Sequence, residues 1–321
     1  MKAVRIHSTG GPEVMKIEEI PIPKPTSTEV LIEIKSIGVN YTDVSSRKGT
    51  NPPEYYPWIP GREAAGVVVE VGDDVTEVKI GDNVAYAMIT GAYAEYATVP
   101  AWLTVPIPDA MPYDIASAIL LQGMTAHFLA NSITSLNNAD TALVHAGAGG
   151  VGLLLIQMLK MLDVYTYTTI STSEKSDLAI AAGADLTINY LKEDFETSIK
   201  KYNPDGITIV YDAIGQTTFK KGLNVLKRRG YMVLYGTASG TNPDFDRNLL
   251  REKSIYLTCP MLGDFTSTRD ELLNRANTVL EWVQNDLLSI RLGLTLPFSE
   301  VSEAHRQLEG RMTTGKVILT I

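Results

Sequence analysis

An α/β chain of two domains, one a β-rich barrel-like module and one a doubly wound parallel sheet, is what this sequence predicts. Three observations predict it. Short alternating apolar runs punctuated by prolines and glycines fill the first third, strand-like and helix-like segments alternate from residue 141 onward, and a glycine-rich loop joins the first such strand to its helix. The length of 321 residues suits two domains rather than one.

In the first third, Val30–Ile37 alternates as VLIEIKSI, and Glu63–Val71 is an apolar run between Gly61 and Gly72. The segments GDNVAYA near Gly81 and AEYATV at Ala94–Val99 add further short strands, with few helical stretches among them. The pattern changes near Pro112. From Tyr113 to Asn131 the spacing of Ile115, Ala118, Ile119, Met124 and Leu129 fits helix. Strands are then expected at Thr141–His145, Val164–Ile170, Leu186–Tyr190, Ile207–Tyr211, Gly230–Tyr235 and Ser254–Thr258. Helices are expected between them at Val151–Leu162, Ser176–Ala182, Asp194–Tyr202 and Thr218–Leu226. Such alternation indicates a parallel sheet covered on both faces. An amphipathic helix at Thr268–Asn285, a helix at Glu300–Leu308 and a closing strand at Lys316–Ile321 complete the chain. That last strand is expected to rejoin the first domain, which makes the first domain discontinuous.

Composition excludes several classes of function. The formal charge of −9 disfavours nucleic acid as a partner. The longest apolar stretch, Val151–Leu162, is interrupted by Gln157 and Lys160 and is too short to span a bilayer, so no membrane partner is expected. The N-terminus has no apolar core of a signal peptide, so the cytoplasm is the expected location. One cysteine, Cys259, rules out an internal disulfide and a multi-cysteine zinc site. The four histidines are scattered without metal-binding spacing, so no metal is expected.

The sharpest motif is Gly147-Ala-Gly149-Gly-Val-Gly152, which matches G-x-G-x-x-G in a strand–loop–helix setting. Its glycines permit a tight turn, a close approach of backbone to a pyrophosphate, and close helix–strand packing at the positive helix end. A dinucleotide is therefore expected there. An NAD site would carry Asp or Glu at the tip of the second strand to bond the ribose hydroxyls. Here the tip reads Thr169-Ile170-Ser171-Thr172-Ser173-Glu174-Lys175. Neutral hydroxyls and a lysine suit the 2′-phosphate of NADPH, although Glu174 opposes it. With no zinc ligands to stabilise an alkoxide and no G-x-S-x-G elbow, elimination leaves acceptors whose reduced anions are already delocalised. Quinones and α,β-unsaturated carbonyls are such acceptors.

Taken together, MKAVRIHSTGGPEVMKIEEIPIPKP, VNYTD, GREAAGVVVEVG, GAYAEY, LQGMTAH, HAGAGGVG and RMTTGKVIL resemble the quinone oxidoreductase (zeta-crystallin-like) branch of the medium-chain dehydrogenases. The resemblance runs the length of the chain. It implies a GroES-like catalytic domain at residues 1–122 and 265–321, and a Rossmann NADPH-binding domain at 123–264. It also implies a homodimer joined through the Rossmann edge strand, Ser254–Met261. Zinc-bearing relatives carry cysteine and histidine where this chain has Asn40 and Arg62, so the resemblance implies a zinc-independent reductase.

Site residues follow from the resemblance position by position. Lys175, Tyr190 and Arg311 would hold the 2′-phosphate, with Ser171 and Thr172 lining the same pocket. Gly150 and Val151 would join Gly147, Gly149 and Gly152 under the pyrophosphate. Thr125, Ile214, Gly236, Thr237, Ala238 and Ser239 would lie at the nicotinamide end. Asn40, Tyr41 and Asp43 would flank hydride transfer, and Tyr55 and Tyr56 would shape the acceptor pocket. The expected activity is NADPH:quinone reduction. The alternatives are reduction of alkenal or enone double bonds, and a non-enzymatic NADPH-binding protein of crystallin-like or RNA-binding kind.

Overall fold

Residues 1–240 and 245–321 are described by the structure, a computed structural model. The chain divides into two compact units: Met1–Met124 with Thr266–Ile321, and Thr125–Phe265.

The first unit opens with an antiparallel ribbon of β1 (Lys2–Arg5) and β2 (Lys16–Glu19). β3 (Glu29–Val39) follows, then α1 (Tyr41–Lys48), β4 (Glu63–Val71), β5 (Asn83–Ala87), β6 (Tyr96–Pro100) and β7 (Val105–Pro106). Next comes α2 (Tyr113–Asn131), whose residues up to Met124 belong to this unit. β3 organises the sheet, because it pairs antiparallel with both β4 and β6. Its pairing with β4 shifts register twice, between Leu31 and Ile32 and between Ile34 and Ser36. Such irregularities bend a strand and increase its twist, as a sheet must to curl over a core.

The second unit is a single parallel sheet with helices between its strands. In chain order these are β8 (Thr141–Val144), α3 (Gly150–Met161), β9 (Tyr165–Ile170), α4 (Ser173–Ala181), β10 (Leu186–Asn189) and α5 (Phe195–Tyr202). Then come β11 (Ile207–Asp212), α6 (Phe219–Val225), β12 (Leu226–Leu234), α7 (Asn248–Lys253) and β13 (Tyr256–Thr258). The strand order is β10-β9-β8-β11-β12-β13, the doubly wound arrangement with its reversal between β8 and β11. All six residues of β11 are buried, as expected of a central parallel strand sandwiched by helices. Two of the helices start on side-chain caps: Thr172 accepts from Lys175 N–H and Asp194 from Thr197 N–H.

The chain returns to the first unit with α8 (Arg269–Gln284), β14 (Leu292–Pro297), α9 (Val301–Glu309) and β15 (Lys316–Thr320). β15 runs antiparallel to β3 and parallel to β14. The sequence pattern does not mark β14, nor the short helix α7. The expected edge strand at Ser254–Met261 shrinks to Tyr256–Thr258, because Ser254 closes α7 in the left-handed conformation (φ 52°) and cannot extend. Among the described residues, no helix is long and apolar enough to cross a membrane.

Leu143, Ile188, Val210, Phe219, Leu223 and Met232 form part of the buried cluster beside the second unit's sheet. Phe219 is only 1% exposed. Replacing it with alanine should therefore lower unfolding free energy by ~3–5 kcal/mol, read from the denaturant midpoint of that unit.

Candidate active site and cofactor site

In the first unit, the turn from β3 into α1 carries the residues expected to flank the chemistry. Asn40 is the residue before α1, in extended conformation, with its N–H bonded to Asp43 Oδ2 at 2.9 Å. This leaves the Asn40 side chain for other partners. Its Nδ2 donates to Glu63 Oε2 at 2.9 Å and Gly38 O at 3.3 Å. Its Oδ1 accepts from Lys316 Nζ at 2.8 Å and from Gln122 Nε2 at 3.2 Å. Glu63 in turn pairs with Lys316 and accepts the Leu121 N–H at 2.7 Å. Glu63 and Lys316 are 0% and 1% exposed, so each ion is desolvated and satisfied only by this network. Glu63, Gln122 and Lys316 are not singled out by the sequence reading. The available signal is a charged residue at the edge of an apolar strand, EAAGVVV for Glu63 and KVIL for Lys316.

Below Asn40 lies a second buried chain of polar groups. The Tyr93 hydroxyl donates to Asp43 Oδ2 at 3.1 Å and lies 2.9 Å from His305 Nε2. Burial raises the Asp43 carboxyl from 3.8 to about 6, against the opposing pull of the Asn40 N–H and the charges of Arg62 and Lys316. Burial also holds the Tyr93 phenol well above its usual range. The same burial, reinforced by the nearby Arg47 charge, pushes the His305 imidazole down from 6.5 to about 3.

The remaining residues expected near the acceptor are less enclosed. Tyr41 is half-buried in the first turn of α1, and Tyr55 and Tyr56 are 70% and 40% exposed. Tyr55 lines a pocket of about 280 Å³ together with Ser46, Trp58, Arg62 and Thr90, whereas Tyr56 is not part of its lining.

In the second unit the glycine loop lies between β8 and α3. A Cβ on Gly147 would stand 1.8 Å from Thr168 Oγ1, and one on Gly152 would stand 2.4 Å from Ala146 O. Both positions therefore exclude side chains for packing reasons alone. Gly149 precedes α3 without any side-chain cap, so the first N–H groups of the helix keep their donors, with Gly150 and Val151 half-buried among them. Uncapped donors at the positive end of a twelve-residue helix fit a pyrophosphate.

Beyond the loop, β9 and β10 end side by side, with Asn189 opposite Ile170. Ser171, Thr172, Lys175 and Tyr190 are thereby brought to one corner, where Asn189 Nδ2 reaches Ser171 O at 3.3 Å and Tyr190 N–H reaches Ile170 O at 3.1 Å. The Thr172 hydroxyl accepts the Lys175 N–H at 3.2 Å, which fixes the start of α4 at this corner. No carboxylate occupies the strand tip itself, and the exposed Glu174 follows in the first helical turn. A third group gathers after β11 and β12. Ala238 N–H bonds Ala213 O at 3.1 Å, and Ser239 bonds Ile214 O through both N–H and Oγ at 2.8 Å. A Cβ on Gly236 would lie 2.7 Å from Ala213 O, so that loop approaches too closely for a side chain. Thr237 is exposed on the same loop. Buried Asp212, absent from the sequence reading, anchors this corner by accepting from Ile214 N, Gly215 N and Thr218 Oγ1. Thr125 is half-buried on α2, in the second unit, and Arg311 is exposed after α9, in the first.

Comparison with known proteins bears on both units. Residues 26–109 match the alcohol dehydrogenase GroES-like domain, and residues 150–278 match the zinc-binding dehydrogenase family. Over the whole length, the chain is 34% identical to quinone oxidoreductase 1 of Escherichia coli, covering 98% of each protein. It is 37% identical to a probable quinone oxidoreductase of Schizosaccharomyces pombe, covering 98% of this chain and 96% of that one. The crystal structure of the Escherichia coli quinone oxidoreductase complexed with NADPH superposes with a TM-score of 0.97 at 33% identity, over 100% of both chains. A mycobacterial protein complexed with NADPH superposes with a TM-score of 0.96 at 39% identity.

The depressed imidazole of His305 sets a pH dependence. Unfolded chains take up a proton near pH 6.5 while the folded one stays neutral until about 3, so this stabilising contribution is present above 6.5 and lost as pH falls. Replacing His305 with glutamine should remove that loss. Relative to the parent, the unfolding free energy of the variant from urea denaturation should gain ~1.5 kcal/mol between about pH 6.5 and 5.

Proposed function

We propose that this chain, which belongs to the quinone oxidoreductase family of the medium-chain dehydrogenases, reduces quinones with NADPH as hydride source. The observation that carries the reading is the pair of corners at the strand ends of the second unit. One is an uncapped helix terminus behind a glycine turn, and the other a hydroxyl, lysine and tyrosine cluster without a strand-tip carboxylate. Full-length likeness to quinone oxidoreductases, one of them seen with NADPH, supports the same conclusion.

NADPH, when bound, supplies a hydride. The chain's residues bind and orient. Gly147, Gly149, Gly150, Val151 and Gly152 present backbone to the pyrophosphate, and Ser171, Thr172 and Tyr190 offer hydroxyls to the 2′-phosphate while Lys175 supplies positive charge. Thr125, Ile214 and Gly236–Ser239 border the nicotinamide. Asn40, Tyr41, Asp43, Tyr55 and Tyr56 stand on the acceptor side. Asn40 is held rigid by Glu63, Lys316 and Gln122, so its amide keeps one orientation. A delocalised product anion takes its proton from water, so no dedicated acid is required.

The reaction is read as independent of zinc. A buried ammonium, Lys316 Nζ, lies 2.8 Å from the Asn40 oxygen, and Arg62 carries a second cation close by, so a divalent ion would meet positive charge rather than ligands. A homodimer is proposed through β13, which among the described residues has β12 as its one neighbour in the sheet and leaves its other backbone edge open. The exposed ring of Tyr256, stacked on Tyr231 at 4.7 Å, adds apolar surface to that edge. The enzyme is read as working in the cytoplasm on small planar acceptors.

The test is NADPH oxidation with 9,10-phenanthrenequinone, run beside NADH and a simple enal. Fast turnover is expected for NADPH with the quinone and slow turnover for NADH. Replacing Lys175 with alanine should raise the KM for NADPH roughly ten-fold and leave that for NADH unchanged. Equal use of both nucleotides, or turnover of the enal alone, would remove the reading.

A further inference from the structure

One alanine in the glycine turn of the second unit is held where alanine is unfavourable. Ala146 sits at φ +57°, in the left-handed region that a Cβ disfavours and that glycine adopts freely. The rest of the turn is built on it. Its carbonyl oxygen accepts the Gly149 N–H at 2.9 Å. The same oxygen would stand 3.1 Å from a Cβ on Gly149 and 2.4 Å from one on Gly152. Gly149 and Gly152 therefore both answer to one atom, and the left-handed conformation of Ala146 decides where that atom lies. Were Ala146 to leave that conformation, its carbonyl would release the Gly149 N–H and with it the start of α3.

What keeps Ala146 in place comes from β9. The pairing of β8 with β9 ends at Val144 opposite Thr168, which brings His145 and Ala146 beside Thr169. The Ala146 N–H donates to Thr169 Oγ1 at 3.4 Å, the one partner that N–H has among the described residues, and the Gly147 N–H donates to Thr169 O at 3.2 Å. One threonine thus holds both sides of the turn. Its hydroxyl is itself oriented. It lies 3.0 Å from Nδ1 of His145, which is 1% exposed and packs edge-on against Phe195 with ring centroids 4.8 Å apart. Burial holds that imidazole below its usual range, against the pull of Asp212, so the ring is neutral. A neutral ring accepts the Thr169 proton at Nδ1, and this leaves the oxygen's lone pairs to the Ala146 N–H. The reverse arrangement would strand the hydroxyl proton as well as Nε2, which has no partner in either case.

We infer that Thr169 is a positioning residue for the pyrophosphate: its hydroxyl, set by His145, holds Ala146 in the left-handed turn, so that the glycine loop and the uncapped start of α3 are arranged for the anion before it arrives. This rests on the NADPH site proposed above and names what fixes its loop. Thr169 acts through Ala146 and not on the nucleotide itself. A loop that is competent for about a tenth of the time binds its anion about ten-fold more weakly, which sets the scale of the effect. The restraint is specific to alanine. Glycine takes positive φ about as readily as negative, so with Ala146→Gly the hydroxyl has little left to hold.

The test measures binding of NADPH and two of its fragments by calorimetry on the full-length protein. ADP carries the pyrophosphate without the 2′-phosphate, and 2′-AMP carries the 2′-phosphate without the pyrophosphate. Thr169→Val keeps the shape of the side chain and removes the hydroxyl. It should weaken NADPH and ADP roughly ten-fold and change 2′-AMP less than about two-fold, which also reports that the unit is folded. Thr169→Ser, which restores the hydroxyl, should bind ADP within about three-fold of the parent. In the Ala146→Gly background, Thr169→Val should weaken ADP no more than about three-fold. That coupling between the two positions is a readout that a merely structural threonine would not give. The assignment would be overturned by a Thr169→Val protein that binds ADP as the parent does, that loses 2′-AMP along with ADP, or that loses as much ADP affinity in the Ala146→Gly background as without it. A parent that binds neither NADPH nor ADP would sink the cofactor site proposed above instead.

Discussion

Glu63 and Lys316 have to neutralise each other, because both are excluded from water where β4 and β15 begin. Removing either partner would strand the other charge at a cost of ~3–5 kcal/mol, so the pair cannot drift apart without loss of the fold. Their geometry is therefore dependable, and the Asn40 amide is built on it. One amide hydrogen goes to Glu63, and the oxygen is shared between Lys316 and Gln122. The Asn40 backbone N–H then fixes Asp43, and through Asp43 the ring of Tyr93. That ring in turn dictates glycine at position 61 and so aims Arg62. A line of contacts thus runs from a buried ion pair to the lining of the 280 Å³ pocket in the first unit.

The second unit relies on sterics more than on charge. Its loop needs glycine at 147 and 152 because the neighbouring atoms, Thr168 Oγ1 and Ala146 O, already occupy the space of a Cβ. The helix that follows stays uncapped, which would be a weakness in a purely structural helix and is useful where an anion completes it. Asp212 plays the converse part at the neighbouring strand end. Its carboxylate saturates two backbone N–H groups and a threonine hydroxyl, and so shapes the loop that carries Ile214.

Local signals were readable in the sequence, and long-range pairings were not. The glycine spacing, the alternation of strands and helices, and the neutral tip of the second strand all lie within short windows, where periodicity and turn chemistry report directly. The closing strand was also legible, from its run of apolar residues, and in the first unit it pairs with β3, a partner its pattern did not name. The network around Asn40 was not, because Glu63 and Lys316 lie 253 residues apart and neither has a motif of its own. The strand β14 alternates as a half-exposed strand does, but Gly293 and Pro297 read as turn residues and hid it. Ser254 looked like the start of a strand and instead ends a short helix, since a left-handed residue leaves no trace in hydrophobic periodicity. Ser46 gave no hint of itself, because a serine in a short helix is unremarkable until its hydroxyl is found buried without a partner.

The separation of Lys316 from its partners also bears on how the protein is made. A ribosome releases Asn40 and Glu63 long before it reaches Lys316, and the whole second unit, Thr125–Phe265, is synthesised in between. That unit is one continuous segment and can collapse as soon as it emerges. The first unit must wait, holding a carboxylate with no counter-ion and a β3 with no β15 beside it. Translation therefore imposes an order: the second unit matures first, and the first is sealed only when the final strand arrives with its lysine.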